Sequence, residues 1–404
     1  MIVTVEAGAA SALMRGHPWV FREAIRGTRG KGKTGDAVRV LGPKNELIGW
    51  GLYDRDSPIA VRMYGWDRAK PQELVASGAE PPHPKAVEES LVRLVKAAIA
   101  RRSGLFDSSK TTAYRLCNGE GDRIPGLVID RYGAVAVART DGDAMGTWID
   151  KLAPSIARLL SADGISSLLA RVEAEANERK VRSLSGEMPA DTLDVLEHGM
   201  TFEVDIARGQ KTGAFLDQRD NRRHVRELAK GRRRVLNLFS YAGGFSVAAA
   251  LGGATEVTSV DAATRAHGTA QRSFKKNGLS LEGHQFVSAD AFVFLENAAK
   301  RKDRYDLVIS DPPSFAPNER SKRGALAAYA RLHRACAALL ADGALLCASS
   351  CSSHVGMEEF LGTLDDTALG RSDLTVLESF GAPADHPTLA CFPEGRYLKF
   401  VVMG

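Results

Sequence analysis

Several runs of apolar and β-branched residues in the second half of the chain end on groups that could handle a nucleoside. VLNLF (235–239) runs into the turn FSYAGGFS, EVTSVD (256–261) ends in Asp261, HQFVSAD (284–290) in Asp290, YDLVISD (305–311) in Asp311, and ALLCASSCS (344–352) carries Cys351. Glycines that open a helix let the backbone come close to a ligand. Phe239, Ser240, Tyr241 and Gly243 are therefore candidate contacts. The turn lacks the three glycines of G-x-G-x-x-G that a pyrophosphate demands, so a ligand without one, such as S-adenosylmethionine, suits it better than NAD. Asp261 stands where a carboxylate can accept hydrogen bonds from two ribose hydroxyls. Asp290, followed by Ala291 and Phe292, could accept from an adenine amino group while the backbone and the ring hold the base. Each acid alone also reads as the N-cap of a helix that follows a strand. Their common register with one glycine turn is what points to a nucleoside.

Asp311 opens Asp-Pro-Pro-Ser-Phe, whose two prolines stiffen the loop beyond its strand. Such a loop can hold a flat base beside a methyl donor without fixing which atom is methylated; a plain proline turn is the alternative. Cys351 lies in a serine-rich turn, whereas Cys347 lies inside the apolar run and reads as core. Cytosine C5 is a poor nucleophile, and a thiolate bonded at C6 would push electron density onto it. A free thiol, with a pKa of about 8.5, needs nearby cations to ionise, and His354 is the candidate closest in sequence. An inert turn cysteine is the competing reading.

Strands alternating with helices beyond residue 200 imply right-handed crossovers and a mostly parallel, doubly wound α/β sheet, with the ligand beyond the carboxyl ends of its strands. Residues 1–72 read instead as short strands punctuated by Gly and Pro, a small β-barrel or sandwich. The stretch 70–86, with four prolines, reads as a linker, and Val87–Arg102 as an amphipathic helix. Residues from about 112 to 200 mix both patterns. The expected division is 1–72, 73–200 and 201–404.

The chain has 404 residues, 44% hydrophobic and 25% charged, which excludes disordered, collagenous and coiled-coil classes. No apolar run reaches the roughly 18–20 residues of a membrane span. The first residues resemble neither a secretory signal nor a transit peptide, so a cytoplasmic location without membrane contact is expected. Five cysteines without a C-x-x-C pair argue against disulfides and zinc, and no metal is expected. The formal charge of +5 sits wholly in residues 1–72, with 12 Lys and Arg against 7 Asp and Glu. Arg15, Arg22, Arg26, Arg29, Lys31 and Lys33 are candidate phosphate contacts there, with His17 and Trp19 for base stacking. A solvated basic face with Trp19 in the barrel core is the plain alternative. A second basic run, Arg219 to Arg234, carries the same choice.

Taken together, these segments resemble the RlmI-like family of 23S rRNA (cytosine-5)-methyltransferases over nearly the whole chain. The matching pieces are GHPWVF (16–21), IGWGLYD, NGEGDRIPGLVIDRYG (118–133), KTGAFLDQRDNR (211–222), NLFSYAGGFSVAA (237–249), SVDAA (259–263), DAFVFL (290–295), DPPSFA (311–316), SSCSSH (349–354) and DHP (385–387). The resemblance implies an N-terminal PUA domain, a central α+β domain and a class I methyltransferase domain. It also implies that FLDQR closes over the methyl donor, making Gln218 and Arg219 cofactor contacts, with Cys351 as nucleophile and Asp311 bonded to cytosine N3. The implied substrate is 23S rRNA or its large-subunit precursor, with a homodimer left open. One departure stands out: where the wider group often has Pro-Cys, this chain has Pro313 and Ser314. A guanine-N7 or other N-methyltransferase, an NAD oxidoreductase and a non-catalytic assembly factor are the competing readings.

Overall fold

The computed structural model describes residues 1–67, 83–173, 178, 180–316 and 318–404. Most of the stretch expected to be a linker lies outside the described residues. Between Ile2 and Trp66, six short strands form one sheet, with Ile2–Val5 parallel to Ala37–Leu41 and antiparallel to Ile25–Arg29. One helix, Ala7–Met14, was not legible as such, because AGAASALM has almost no polar face to give it a period. Leu13 from this helix joins Val3, Val38, Val40 and Met63 in the small core.

A five-stranded sheet follows, spanning Ala113–Asn118 to Val181–Ser185, with helices Pro84–Ala100 and Asp143–Ser161 against it. The barrel is fused to this unit. Trp50, Leu52 and Tyr64 share a core with Leu91, Leu127 and Trp148, Tyr64 Oη donates to the Pro125 carbonyl at 2.6 Å, and Trp148 Nε1 to that of Gly35 at 2.8 Å. The hairpin Thr192–Glu197 and Met200–Asp205 comes next, so the expected boundary after residue 200 falls within it. Val195, Phe202 and Val204 pack with the core of the last unit.

That last unit is a seven-stranded sheet. Its strands are β1 Arg234–Leu238, β2 Glu256–Asp261, β3 Gln285–Ser288, β4 Tyr305–Ser310, β5 Leu340–Ser350, β6 Val376–Phe380 and β7 Lys399–Met403. Their order is β3-β2-β1-β4-β5-β7-β6, parallel from β3 to β5, with β7 antiparallel to both β5 and β6. Alternate residues serve opposite faces: Val235, Leu307 and Cys347 belong to one core, Leu236, Val308 and Leu346 to the other. Helices Arg219–Leu228, Gly244–Leu251 and Thr264–Lys276 cover the first face, Ala291–Lys300 and Lys322–Ala337 the second. The doubly wound α/β expectation holds, and the strand order reverses at β1 and β4, where such sheets bind ligands. Among the described residues, no helix is long and apolar enough to cross a membrane.

The central sheet is bolted to the seven-stranded sheet by one buried carboxylate. Asp385, in the loop before β7, accepts from Arg219 Nη1 and Nη2 at 2.8 Å each and from the Arg115 backbone N–H at 2.8 Å. Arg102 donates to the Asp385 carbonyl at 2.5 Å, and Asn118 Nδ2 to that of Pro387 at 2.9 Å. Burial opposes the Asp385 charge, but Arg219 and His386 hold its carboxyl far below the usual range. Removing one partner of such a pair strands the other charge in a dry interior. Arg219→Met is therefore expected to cost about 3–5 kcal/mol in urea-induced unfolding, and Arg219→Lys to recover only part of it, since a single ammonium cannot make the two-pronged contact.

Candidate active site

A cavity of about 930 Å³ lies at the carboxyl ends of β1, β2, β3, β4 and β5. Gln218, Phe239, Ser240, Tyr241, Asp261, Asp290, Ala291, Asp311 and Cys351 all line it. Residues from five strand ends, scattered over more than a hundred positions, meet because parallel crossovers return every strand in the same direction.

The glycine turn is built under constraint. Phe239 and Tyr241 sit at φ of 58° and 44°, a region costly for side chains. What holds them there is a set of hydrogen bonds: Tyr241 N–H donates to Asp261 Oδ2 and Ala263 N–H to Asp261 Oδ1, both at 2.7 Å, and Ser240 N–H donates to the Val260 carbonyl at 3.0 Å. Gly243 does not line the cavity. It sits at φ 76°, where a Cβ would lie 2.5 Å from that of Ala270, so its use is to let helix Thr264–Lys276 pack closely. Of the two glycines of this turn, Gly244 is the one in the wall.

Asp290 unites its two readings. Its Oδ1 caps helix Ala291–Lys300 by accepting from Phe292 and Val293 N–H at 2.9 and 3.1 Å, while the residue faces the cavity. Gln218 Nε2 donates to Asp311 Oδ1 and to Ser349 Oγ, both at 2.9 Å, and Asn221 Nδ2 donates to Gln218 Oε1 at 2.6 Å. That last bond fixes which end of the amide faces Asp311. Burial, with the nearby Asp217 charge adding to it, pushes Asp311 up to about 6.

Arg219 is not a cavity residue. It is sealed in the pair with Asp385, its guanidinium 4.5 Å from the centre of the Phe106 ring. Arg222 is likewise buried, paired through two 2.8 Å bonds with Glu197. The run from Arg219 to Arg234 is thus mixed: Arg219 and Arg222 are internal, Arg223 is exposed, and Arg233 and Arg234 pair with Glu256 at the far end of the sheet.

Cys351 follows β5, half-buried, with Sγ 4.0 Å from the Pro312 carbonyl. Ser314, standing where the wider group often has cysteine, hydrogen-bonds Ser352 at 2.9 Å and ties the Asp-Pro-Pro loop to the Cys351 turn. Burial pushes the thiol up to about 11, and Asp311 adds to the rise. His354 is not its counter-charge, since its ring faces Glu319 at 3.4 Å. The cations that matter come from Lys211 and Lys399, which spacing along the chain could not reveal. Lys211 lies in the quoted KTGAFLDQR segment and lines the cavity. Lys399 is paired in register with Ser350 and gives its buried ammonium to the carbonyls of Ser352 and Val355, the latter at 2.6 Å.

In the barrel, Arg15, Arg26, Arg29, Lys31 and Lys33 are exposed. Arg22 is committed internally: its guanidinium donates to the carbonyls of Ser57 and Asp54 at 2.6–3.0 Å. Trp19 is neither in the barrel core nor free. Its ring meets Phe392 at 4.7 Å and its Nε1 donates to Glu120 at 2.9 Å, so it docks the barrel onto the loop that carries Asp385.

The cavity suits S-adenosylmethionine on its own evidence: a backbone turn and two strand-end carboxylates line one part, the buried Ser240 Oγ has no hydrogen-bond partner among the described residues, and the volume leaves room for a second flat ring. A sheet of this order with such a crevice defines a class I S-adenosylmethionine-dependent methyltransferase. The chain matches the S-adenosylmethionine-dependent methyltransferase family over residues 161–399 and a PUA-like domain over residues 3–66. It is 36% identical to "Ribosomal RNA large subunit methyltransferase" of Deinococcus radiodurans, over 99% of this chain and 96% of that one. It is 32% identical to "Ribosomal RNA large subunit methyltransferase I" of Shigella boydii serotype 4, over 97% and 96%. The crystal structure of SMU.776, a methyltransferase complexed with SAH, shares the fold with a TM-score of 0.83 at 24% identity, covering 100% of this chain and 99% of that one. The chain therefore belongs to the S-adenosylmethionine-dependent methyltransferase family, in the branch whose members carry the name ribosomal RNA large subunit methyltransferase.

Asp261 holds the turn with both carboxylate oxygens and lines the cavity. Asp261→Ala is expected to weaken S-adenosylmethionine binding by roughly 10- to 150-fold, the range for losing charged hydrogen bonds. Isothermal calorimetry measures it, with Asp290→Asn as the milder companion that keeps an N-cap.

Proposed function

We propose that this protein methylates C5 of a cytosine in 23S rRNA or a large-subunit precursor, through a bond between Cys351 and C6 of the base. The observation that carries the reading is the pairing at the ends of adjacent strands: a half-buried thiol after β5 and a carboxyl raised toward neutrality after β4, lining one cavity. The names of the relatives support the rRNA substrate.

Bound S-adenosylmethionine supplies an electrophilic methyl group. Phe239, Ser240, Tyr241, Asp261, Asp290 and Ala291 would hold its nucleoside, and Gln218 braces Asp311 beside it. The Cys351 thiolate forms a bond to C6, and the displaced electron pair develops at C5 and toward N3. Asp311, near half-protonated just below neutral pH, hydrogen-bonds N3 and stabilises that charge. Once C5 carries the methyl group, a base takes the C5 proton, the freed C–H pair re-forms the C5–C6 double bond, and the C6–S bond breaks to restore the thiolate. The Asp-Pro-Pro loop, pinned through Ser314 and Ser352, keeps base and sulfur in line. A target base inside folded rRNA must be turned out of its stack to reach this depth.

We assign docking to residues 1–72, bracing to 73–200 and chemistry to 201–404. The exposed Arg15, Arg26, Arg29, Lys31 and Lys33 serve as phosphate contacts in this reading; Arg22 shapes the barrel instead.

The high thiol pKa favours a second reading, methylation of guanine N7 or another ring or exocyclic nitrogen, which needs no thiolate. Nucleoside mass spectrometry of large-subunit rRNA treated with the wild type and with Cys351→Ala separates the two. The expected product is 5-methylcytidine, lost by at least about 100-fold in Cys351→Ala. Full retention of C5 methylation by Cys351→Ala, or 7-methylguanosine as product, overturns the proposal.

A further inference from the structure

Beside Cys351 and Asp311 the cavity wall carries a cation held on two sides. Lys211 sits at φ 51°, its Nζ 3.2 Å from Asp217 Oδ2 and 4.6 Å from the centre of the Phe215 ring. Tyr397 Oη donates to the same Asp217 oxygen at 2.8 Å, and the Tyr397 ring centre lies 5.9 Å from the ammonium. Asp217 Oδ1 is buried without a hydrogen-bond partner among the described residues. Burial disfavours the Asp217 charge, yet Lys211, His386 and Tyr397 together hold the carboxyl well below its usual range, so it stays an anion. Three separate segments, the loop after Asp205, the turn Leu216–Gln218 and the approach to β7, thus fix one ammonium in the wall that also carries the thiol.

We propose that Lys211, clamped by Asp217 and Tyr397, is the cation that stabilises the Cys351 thiolate, making it a positioning residue for the covalent step. This rests on the nucleophilic role proposed for Cys351. Two cations act on the sulfur, Lys211 and Lys399, and of the two it is Lys211 that lines the cavity with it. Burial, Asp311 from the loop after β4 and Asp217 from the turn all oppose ionisation, and Lys211 acts against them. Lys399 on β7 is engaged with the Ser352 and Val355 carbonyls, and burial lowers it to about 8, with Cys351 and Glu359 opposing the drop. Arg222 acts on Asp311, and Arg115 and His386 act on Asp217. His354 is turned to Glu319. Because Lys211 and Asp217 act on the sulfur with opposite signs, removing each charge must move the thiol in opposite directions.

The test reads the thiol without substrate: alkylation of Cys351 in the full-length protein by iodoacetamide, quantified by peptide mass spectrometry from about pH 7 to about pH 11. Lys211→Met is expected to slow alkylation about tenfold throughout this range, the signature of a midpoint raised by about one pH unit. Asp217→Asn is expected to lower it, and Lys211→Arg to stay near the wild type. An unchanged midpoint in Lys211→Met, or shifts of the same sign in Lys211→Met and Asp217→Asn, overturns the proposal; shared loosening of the fold would produce the latter. The nucleophilic role fails separately, by methylation of C5 in Cys351→Ala, which leaves these midpoints untouched.

Discussion

The buried pair of Arg219 and Asp385 is the contact on which the rest of the architecture depends. Asp385 receives two bonds from the helix that follows the FLDQR turn, one from the backbone of Arg115 in the central sheet and, through its carbonyl, one from Arg102. It thereby fixes three things at once: the turn that presents Gln218 to Asp311, the sheet that carries the barrel, and the loop that leads into Tyr397 and Lys399. The same loop receives Trp19 from the barrel through Phe392. A charge sealed in this way is costly to solvate poorly and costlier to leave alone, so the three parts hold one relative placement. Two arginines that look like a nucleic-acid surface in the sequence are spent on this internal framework.

The strand-end acids hold backbone and line the cavity at once. Asp261 accepts from two backbone N–H groups and so holds Tyr241 in a left-handed conformation, and Asp290 caps its helix. Both remain in the cavity wall. Anchoring by the backbone leaves each carboxylate little freedom, which is the preorganisation a nucleoside site gains from.

Much of the catalytic unit was legible because its signals are local. Five apolar runs, each closing on a polar group, gave the parallel strands and the residues at their ends, since periodicity and chain direction alone bring such ends together. Cys347 and Cys351 separated correctly into core and cavity for the same reason, one lying within a strand and the other just past it. What was not legible depends on contacts between distant segments. Nothing local tells that Arg219 meets Asp385 at a separation of 166 residues, or that Lys211, Asp217 and Tyr397 converge. His354 was favoured as the thiol's neighbour because sequence proximity was the only guide, and the turn points it to Glu319 instead. The helix Ala7–Met14 escaped because its small apolar residues carry no amphipathic period.

The account joins a thiol that burial disfavours as an anion to a base that must be attacked by that anion, and the joint can be observed directly. The measurement is the intact mass and peptide map of the protein after incubation with S-adenosylmethionine and large-subunit rRNA containing 5-fluorocytosine, which blocks loss of the group at C5 and traps the adduct. The account predicts a covalent protein–RNA species joined at Cys351. Turnover of unmodified rRNA to 5-methylcytidine with no such species, or a link at any other residue, would contradict it.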